Sequence, residues 1–279
     1  MDSLMLGAVA YDPKVVTIWE GFRAWFAERD VDFDFVLYSN YEAQVAAHFA
    51  GHFDVAWNSP LAWIQSERIA AATGRTAQAV CMRDTDQDLT SVIVVRADSD
   101  IQTLADLKGR TIAVGAADSP QATLIPLVHL HEAGLQVGVD VEVQKHDLLV
   151  GKHGDHIGGE RDAARALIEG KADAAAMIDG NHLLFGREGT LPAGSTRVLS
   201  QTPLYDHCCF TVLDGGGDAP IDRFVELLLG QSYDDPAVRP LLDLEGLKAW
   251  KPGRTEGFAQ LSRACDVFGT IDDFVASVG

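Results

Sequence analysis

Apolar and polar positions along this chain follow two periods, and the switch between them recurs from one end to the other. Leu4–Ala10 is an apolar run that predicts a strand, and Lys14–Glu28 repeats Val15, Ile18, Trp19, Phe22 and Phe26 at helical spacing. Phe33–Leu37 predicts a strand, Tyr41–Phe49 a helix, Phe53–Ala56 a short strand and Pro60–Ala71 a helix. Ala77–Met82 and Ser91–Arg96 predict strands split by the polar turn Asp84–Asp88. Thr111–Gly115, Val139–Lys145 and Ala172–Ile178 follow as strands, with helices at Pro120–Ala133, Glu160–Glu169 and near Asn181–Leu184. Thr196–Leu199 crosses back and Cys208–Leu213 is a returning strand. Helices near Ile221–Leu229, Pro236–Leu242, Glu256–Val267 and Ile271–Val278 close the chain. Gly215-Gly216-Gly217 reads as a loop after a strand. Alternation of strand and helix predicts an α/β protein with mostly parallel sheets.

Within this pattern, LADLKGRTIAVGAADSPQATLIP (Leu104–Pro126) is the most informative stretch. A short helix at Leu104–Leu107 closes on Gly109, a buried strand follows, and a small polar turn at Ala116–Ser119 leads into a helix. Ser119 stands at the N-cap and Pro120 at the first helical position. A strand feeding such a turn leaves backbone N–H groups pointing off the helix start, a receptor for an anion. An ordinary, well-capped βα unit explains the same residues.

The 279 residues, 47% hydrophobic, suffice for a large core, and no apolar run is long enough to cross a bilayer. The formal net charge of −19 argues against nucleic acid or an anionic membrane surface as partner. Any anion must therefore be held by local N–H groups and a few cations. Met1-Asp2-Ser3-Leu4 runs almost at once into the first strand, without a basic and apolar leader. The expectation is a cytoplasmic protein as the sequence stands, or a periplasmic or extracellular one if a signal peptide has been removed. Cys81, Cys208, Cys209 and Cys265 do not form a secreted disulfide framework.

Four segments together resemble a known family. "DLKGRTIAVG…S…P" is similar to the second-lobe start of type II periplasmic-binding-protein folds, and more narrowly of the phosphonate/phosphite-type solute-binding branch. Ala10–Glu28, Ser39–Gln65 (a tyrosine-led helix, a Gly, an Asp-Val-Ala strand and a small polar turn) and Gly158–His182 are similar to further units of that branch, in the same order. The resemblance implies two lobes, residues 1–96 with 200–279 and residues 97–199, hinged at Val95–Asp100 and Thr196–Gln201. It implies a small polar ligand with an anionic group (phosphonate, phosphate or carboxylate) in the cleft between them, and an ABC permease as partner if the protein is exported. In the family, hydroxyls and backbone amides at helix starts hold the oxyanion and tyrosines shape the pocket. Carried over, this implicates Tyr11, Tyr41, Ser59, Ser119 and Gln121. Strand ends add Asn58, Ser91, Asp179 and His182. Pro120 removes one donor and Asp118 adds negative charge, which points to a cationic or zwitterionic ligand, its amine at Asp179 or Asp118.

The return crossing departs from the family pattern, reading Tyr205-Asp206-His207-Cys208-Cys209-Phe210. His207, Cys208 and Cys209, with His153 and His156, are N/S groups suited to a transition metal, iron or zinc. Cys208-Cys209-Phe210 also resembles the Cys-Phe-Cys ending of the thiamin-pyrimidine synthases, with Thr211 in place of the closing Cys. That implies an alternative, a cytosolic enzyme on the same scaffold in which His207, Cys208 and Cys209 are the candidate catalytic groups. Small buried hydrophobes are the simpler reading of these cysteines.

Overall fold

The computed structural model describes residues 3–154, 156–214 and 219–279; the Gly215-Gly216-Gly217 loop lies outside them. The chain divides into two compact units. Unit 1 comprises residues 1–87, 206–258 and 271–279, and unit 2 residues 88–205 and 259–270.

Unit 1 is built on β1 (Leu4–Val9), α1 (Lys14–Ala27), β2 (Phe33–Tyr38), α2 (Tyr41–Phe49), β3 (Val55–Asn58), α3 (Pro60–Ala72) and β4 (Ala77–Arg83). The chain later returns with β10 (Cys209–Leu213), α7 (Ala219–Leu229), α8 (Arg239–Glu245), β11 (Trp250–Pro252) and α10 (Asp272–Val278). The six-stranded sheet has the order β11-β4-β10-β3-β1-β2. β1 pairs in parallel with β2 and β3, while β10 is inserted antiparallel between β3 and β4. The periodicity of α1 has its expected consequence: Val15, Ile18, Trp19, Phe22, Trp25 and Phe26 are buried. They pack with Trp57, Phe210, Phe224 and Trp250 into one aromatic-rich core. Gly7 is required by a separate small cluster of Ala47, Phe53 and Ala56, since a Cβ there would stand 2.3 Å from the Phe53 ring.

Unit 2 contains β5 (Ser91–Arg96), β6 (Thr111–Val114), α4 (Ile125–Glu132), β7 (Glu142–Lys145), α5 (Ile157–Ile168), β8 (Ala174–Ile178), α6 (Asp179–Glu188), β9 (Thr196–Gln201) and α9 (Ala259–Phe268). The sheet order is β7-β6-β8-β5-β9, with β6 parallel to β7 and β8 and β5 antiparallel to β8 and β9. β5 and β9 are thus wholly part of this sheet, because β5 hydrogen-bonds along its length to both β8 and β9. The chain changes unit at residues 87/88 and 205/206 instead of at the expected hinges, and again on either side of α9. Leu89 and Tyr205 pair as an isolated antiparallel bridge next to the first two changes, with reciprocal backbone bonds of 2.8 and 2.9 Å.

Other differences are local. Pro120–Leu124 is a π-helical turn that precedes α4, in place of one continuous helix from Pro120. The short strand β11 has no periodic signal of its own. No described helix is long and apolar enough to cross a membrane.

Candidate ligand-binding site

In unit 1 the carboxyl ends of β1, β2 and β3 lie side by side, and Tyr11, Asn40 and Ser59 follow them. Asn40 Oδ1 accepts the Ala43 N–H at 2.8 Å and caps α2. Ser59 Oγ accepts the Ala62 N–H at 3.2 Å and caps α3, with Pro60 at its first position. Tyr11 is half-buried, with Lys14 Nζ 5.8 Å from its ring centre. Asn58 is occupied internally. Its Oδ1 accepts from Gln44 Nε2 at 2.8 Å, and its Nδ2 donates to Thr211 at 3.0 Å and Ser66 at 3.3 Å. Tyr41 is also taken inside, its ring packed with Val9, Val45, Ala62 and Ile69. These two residues support the edge from within.

At the same edge Cys209 pairs with Asn58, and the segment that brings it there carries Asp206, His207 and Cys208. Asp86, His207 and Cys208 are buried and offer one ligand atom each, all within 4.8 Å of one another. The carboxylate, however, already holds a guanidinium: Arg83 Nε lies 2.5 Å from Asp86 Oδ2 and Nη2 lies 2.9 Å from Oδ1. Arg83 Nη1 donates to Glu245 Oε1 at 3.1 Å. Burial alone would raise the pKa of Asp86, but the charge and hydrogen bonds of Arg83, with help from His207, bring it down to about 2. His207 Nδ1 lies 3.1 Å from Cys208 Sγ and 3.5 Å from Asp86 Oδ1. As it stands the group is an ion-pair cluster, in which a metal ion would face the Arg83 charge. Cys209 turns toward Thr211 Oγ1 at 3.5 Å, and burial pushes its thiol up to about 12, far from a nucleophilic thiolate at neutral pH.

In unit 2 the corresponding edge gathers Ser91, Gln121, Glu160, Asp179 and Gln201. Ser91 Oγ donates to the Gln121 carbonyl at 2.5 Å and lies 2.7 Å from Tyr205 Oη. Thr90 Oγ1 donates to Asp179 Oδ2 at 3.0 Å and accepts from Gln201 Nε2 at 2.8 Å. Glu160 is fully buried; Oε2 takes the Ile178 N–H at 3.0 Å and Asn181 Nδ2 at 2.8 Å, and Oε1 takes Gln121 Nε2 at 3.3 Å. Gln121 Oε1 is buried without a partner. His182 is half-buried on α6; burial lowers its pKa against the opposing pull of Asp179.

Ser119 caps the helix start as its spacing indicates, its Oγ accepting from Ala122 N–H at 3.3 Å. Yet the segment 147–154 covers this turn and uses much of what it offers. Asp147 accepts from Ala117 N–H at 2.8 Å, Asp118 accepts from Gly151 N–H at 2.7 Å, and Gln121 Nε2 donates to the Gly154 carbonyl at 2.5 Å. Asp118 therefore faces this loop. His153 and His156 are fully buried around it, with Nε2 atoms 3.6 and 3.7 Å from its carboxylate. His156 accepts from Gly154 N–H through Nδ1 and donates from Nε2 to the Leu149 carbonyl at 2.8 Å, which fixes it as the neutral Nε2–H form.

The two edges share a device: Asn58-Ser59-Pro60-Leu61-Ala62 and Asp118-Ser119-Pro120-Gln121-Ala122 are both Ser-Pro helix starts placed after a parallel strand and capped by the serine hydroxyl. A hydroxyl that caps by accepting still has its proton to donate. Glu160, Arg83, Thr90 and Gln201 are polar groups at these edges that sequence reasoning missed. A buried acid in the first turn of an amphipathic helix gives no periodic signal.

The family model for the phosphonate periplasmic substrate-binding protein of ABC transporters matches residues 8–260. Among solved structures, PhnD1 from Prochlorococcus marinus (MIT 9301), in complex with methylphosphonate, is 17% identical with a TM-score of 0.68, covering 96% of this chain and 99% of that one. XAC2383 from Xanthomonas citri, bound to chloride ion, is 18% identical with a TM-score of 0.68, covering 99% and 98%. The periplasmic aliphatic sulphonate binding protein SsuA from Escherichia coli is 17% identical with a TM-score of 0.57, covering 96% and 87%. At these identities the likeness establishes the fold, the α/β type II periplasmic-binding-protein fold expected from the sequence.

Proposed function

Because the chain belongs to the ABC-transporter family of phosphonate periplasmic substrate-binding proteins, we propose that it captures a small solute bearing a phosphonate-like oxyanion and delivers it to an ABC permease from the periplasmic side of the membrane. The observation that carries this reading is the pair of Ser-Pro helix starts, each with its serine hydroxyl at the carboxyl end of parallel strands. Ser59 in unit 1 and Ser119 in unit 2 each keep a hydroxyl proton to donate to an oxyanion, and Tyr11 stands at the same edge as Ser59. The names of the compared structures support an anionic solute: methylphosphonate for PhnD1, an aliphatic sulphonate for SsuA. In a chain of net charge −19, local donors must do this work.

Asp179 and the unpartnered Oε1 of Gln121 favour a solute that also carries an amine, since both are acceptors at the same edge as Ser119. Asp118, engaged by Gly151, is not required for this. The enzyme alternative gains no support, because burial keeps the Cys209 thiol protonated and Arg83 occupies the Asp86 carboxylate.

The test is a thermal-shift and calorimetric panel of methylphosphonate, aminomethylphosphonate, inorganic phosphate and methanesulfonate. A solute at a hundredfold excess over its Kd raises stability by about 2.7 kcal/mol. The expected order puts the phosphonates first, with the amino compound ahead, and binding lost in the double variant Ser59→Ala, Ser119→Ala. A flat response to every phosphonate would refute the proposal.

A further inference from the structure

Strand β7 is an edge of the unit 2 sheet and pairs with β6. Glu142 N–H donates to the Arg110 carbonyl at 2.9 Å, and His146 N–H to the Val114 carbonyl at 3.1 Å. Backbone groups alternate along a strand, so residues 142, 144 and 146 face β6, while Val143 and Lys145 turn their N–H and C=O groups away from it. Neither of these two N–H groups has a partner among the described residues. Toward its amino end the edge is closed, because Gly138 N–H takes the Val141 carbonyl at 2.9 Å. What stays open is a row of donor, acceptor and donor: Val143 N–H, Val143 C=O and Lys145 N–H.

Val143 and Lys145 border a groove of about 660 Å³ that lies within unit 2. Its apolar walls are Leu124 from the π-helical turn, Leu127 from the first turn of α4, Val139 from the turn before β7, and Phe268 from the end of α9. Val143 and Phe268 pack against the same buried cluster that contains Leu127. Val139 is 74% exposed, more than any other large apolar side chain among the described residues. At about 30 Å³ per water the groove has room for roughly twenty water-sized groups. Lys145 is exposed, and its ammonium has no ion-pair partner among the described residues. The acids on this strand and just after it are turned elsewhere: Glu142 Oε2 accepts from Thr111 Oγ1 at 3.4 Å, and Asp147 from Ala117 N–H at 2.8 Å.

A peptide backbone answers such a row bond for bond, whereas an alkyl chain leaves it unpaired. Charge sets the direction: a strand added parallel to β7 ends beside Lys145, and an antiparallel one ends beside Glu142. We propose that this groove captures the free carboxyl terminus of an extended peptide as a further strand, parallel to β7. The carbonyl before the penultimate residue accepts from Val143 N–H, the N–H of the last residue donates to Val143 C=O, and the terminal carboxylate accepts from Lys145 N–H beside the Lys145 ammonium. The penultimate side chain then lies next to that of Val143, on the face of Leu127 and Phe268, and is apolar. The site is independent of solute capture at the Ser59 and Ser119 turns.

The experiment follows the backbone amide resonances of the full ¹⁵N-labelled chain during titration with N-acetyl-leucyl-alanine. Its acetyl carbonyl, alanine N–H and carboxylate match the three positions of the row. The expected result is a saturable downfield shift of the Val143 and Lys145 amide protons, with slower hydrogen exchange at both. The carboxamide of the same compound, and N-acetyl-seryl-alanine, should each bind at least about tenfold more weakly. Val143→Pro removes the outward donor and leaves the β6 ladder intact, so it should abolish binding. Lys145→Glu alters only an exposed side chain and should weaken binding at least about tenfold. Val143 and Lys145 amides that stay still at tens of millimolar peptide overturn the proposal, and so does an equal response to the carboxamide. Shifts confined to the Ser59 and Ser119 turns would place the peptide in the solute site and overturn it as well.

Discussion

Replacing Arg83 by methionine tests whether the Asp86–His207–Cys208 group is held together by an ion pair. In the native protein the guanidinium sits on a carboxylate that is 2% exposed and reaches a second, Glu245, that is 3% exposed. The Asp86 pKa of about 2, against 3.8 for a free aspartate, corresponds to roughly 2 kcal/mol in favour of the charged, folded form at neutral pH. Arg83→Met removes this and takes the guanidinium away from both buried carboxylates, so the loss at pH 7 should be about 3–5 kcal/mol. The pH dependence carries the diagnosis. Asp86 has a depressed pKa in the folded protein, so its contribution is complete above pH 3.8 and disappears as pH falls toward 2. In the variant, burial without Arg83 raises the same pKa, so protonation relieves the strain as pH falls. Lowering the pH from 7 to 3 should therefore narrow the gap between wild type and variant by at least about 1 kcal/mol. Urea unfolding, followed by the fluorescence of Trp57 and Trp250 in the unit 1 core, measures the gap at each pH. A gap that is unchanged between pH 7 and pH 3 would refute the ion-pair account.

Three further outcomes follow from buried polar groups. His48 stacks on Phe53 at 4.7 Å, and burial lowers its pKa from 6.5 to about 4, so stability complete above pH 6.5 falls as the pH drops, by about 2 kcal/mol at pH 5. His48→Leu should remove this component of the pH slope in urea titrations, and a slope identical to wild type would contradict it. Asn58→Leu removes three buried hydrogen bonds at once, to Gln44, Ser66 and Thr211, and should cost about 2–4 kcal/mol in chemical unfolding; a loss below about 0.5 kcal/mol would show that the bonds contribute little. Glu160→Gln turns one carboxylate oxygen into a donor amid Ile178 N–H, Asn181 and Gln121, so a loss of about 1–3 kcal/mol and weaker solute binding are expected. Calorimetry showing unchanged affinity would separate Glu160 from the site.

Much of this protein was legible from local chemistry. The periods of α1 and of the strands fixed which faces are apolar, and Ser119 declared itself as a cap because capping depends on residues three apart. Four motifs in order were enough to identify the fold. What the sequence could not decide was the partner of each polar side chain. Asn58 and Tyr41 stand at strand ends like ligand-contacting residues, yet one is consumed by Gln44 and Thr211 and the other by a core cluster. Asp118, which reads as an anion-repelling charge at a helix start, is turned to Gly151 by a loop thirty-three residues downstream. The Asp86–Arg83 pair meets Glu245 from far along the chain. Periodicity and capping are set by neighbours within a turn, so sequence determines them; burial of a charge and the identity of its counter-ion are set by segments that only folding brings together.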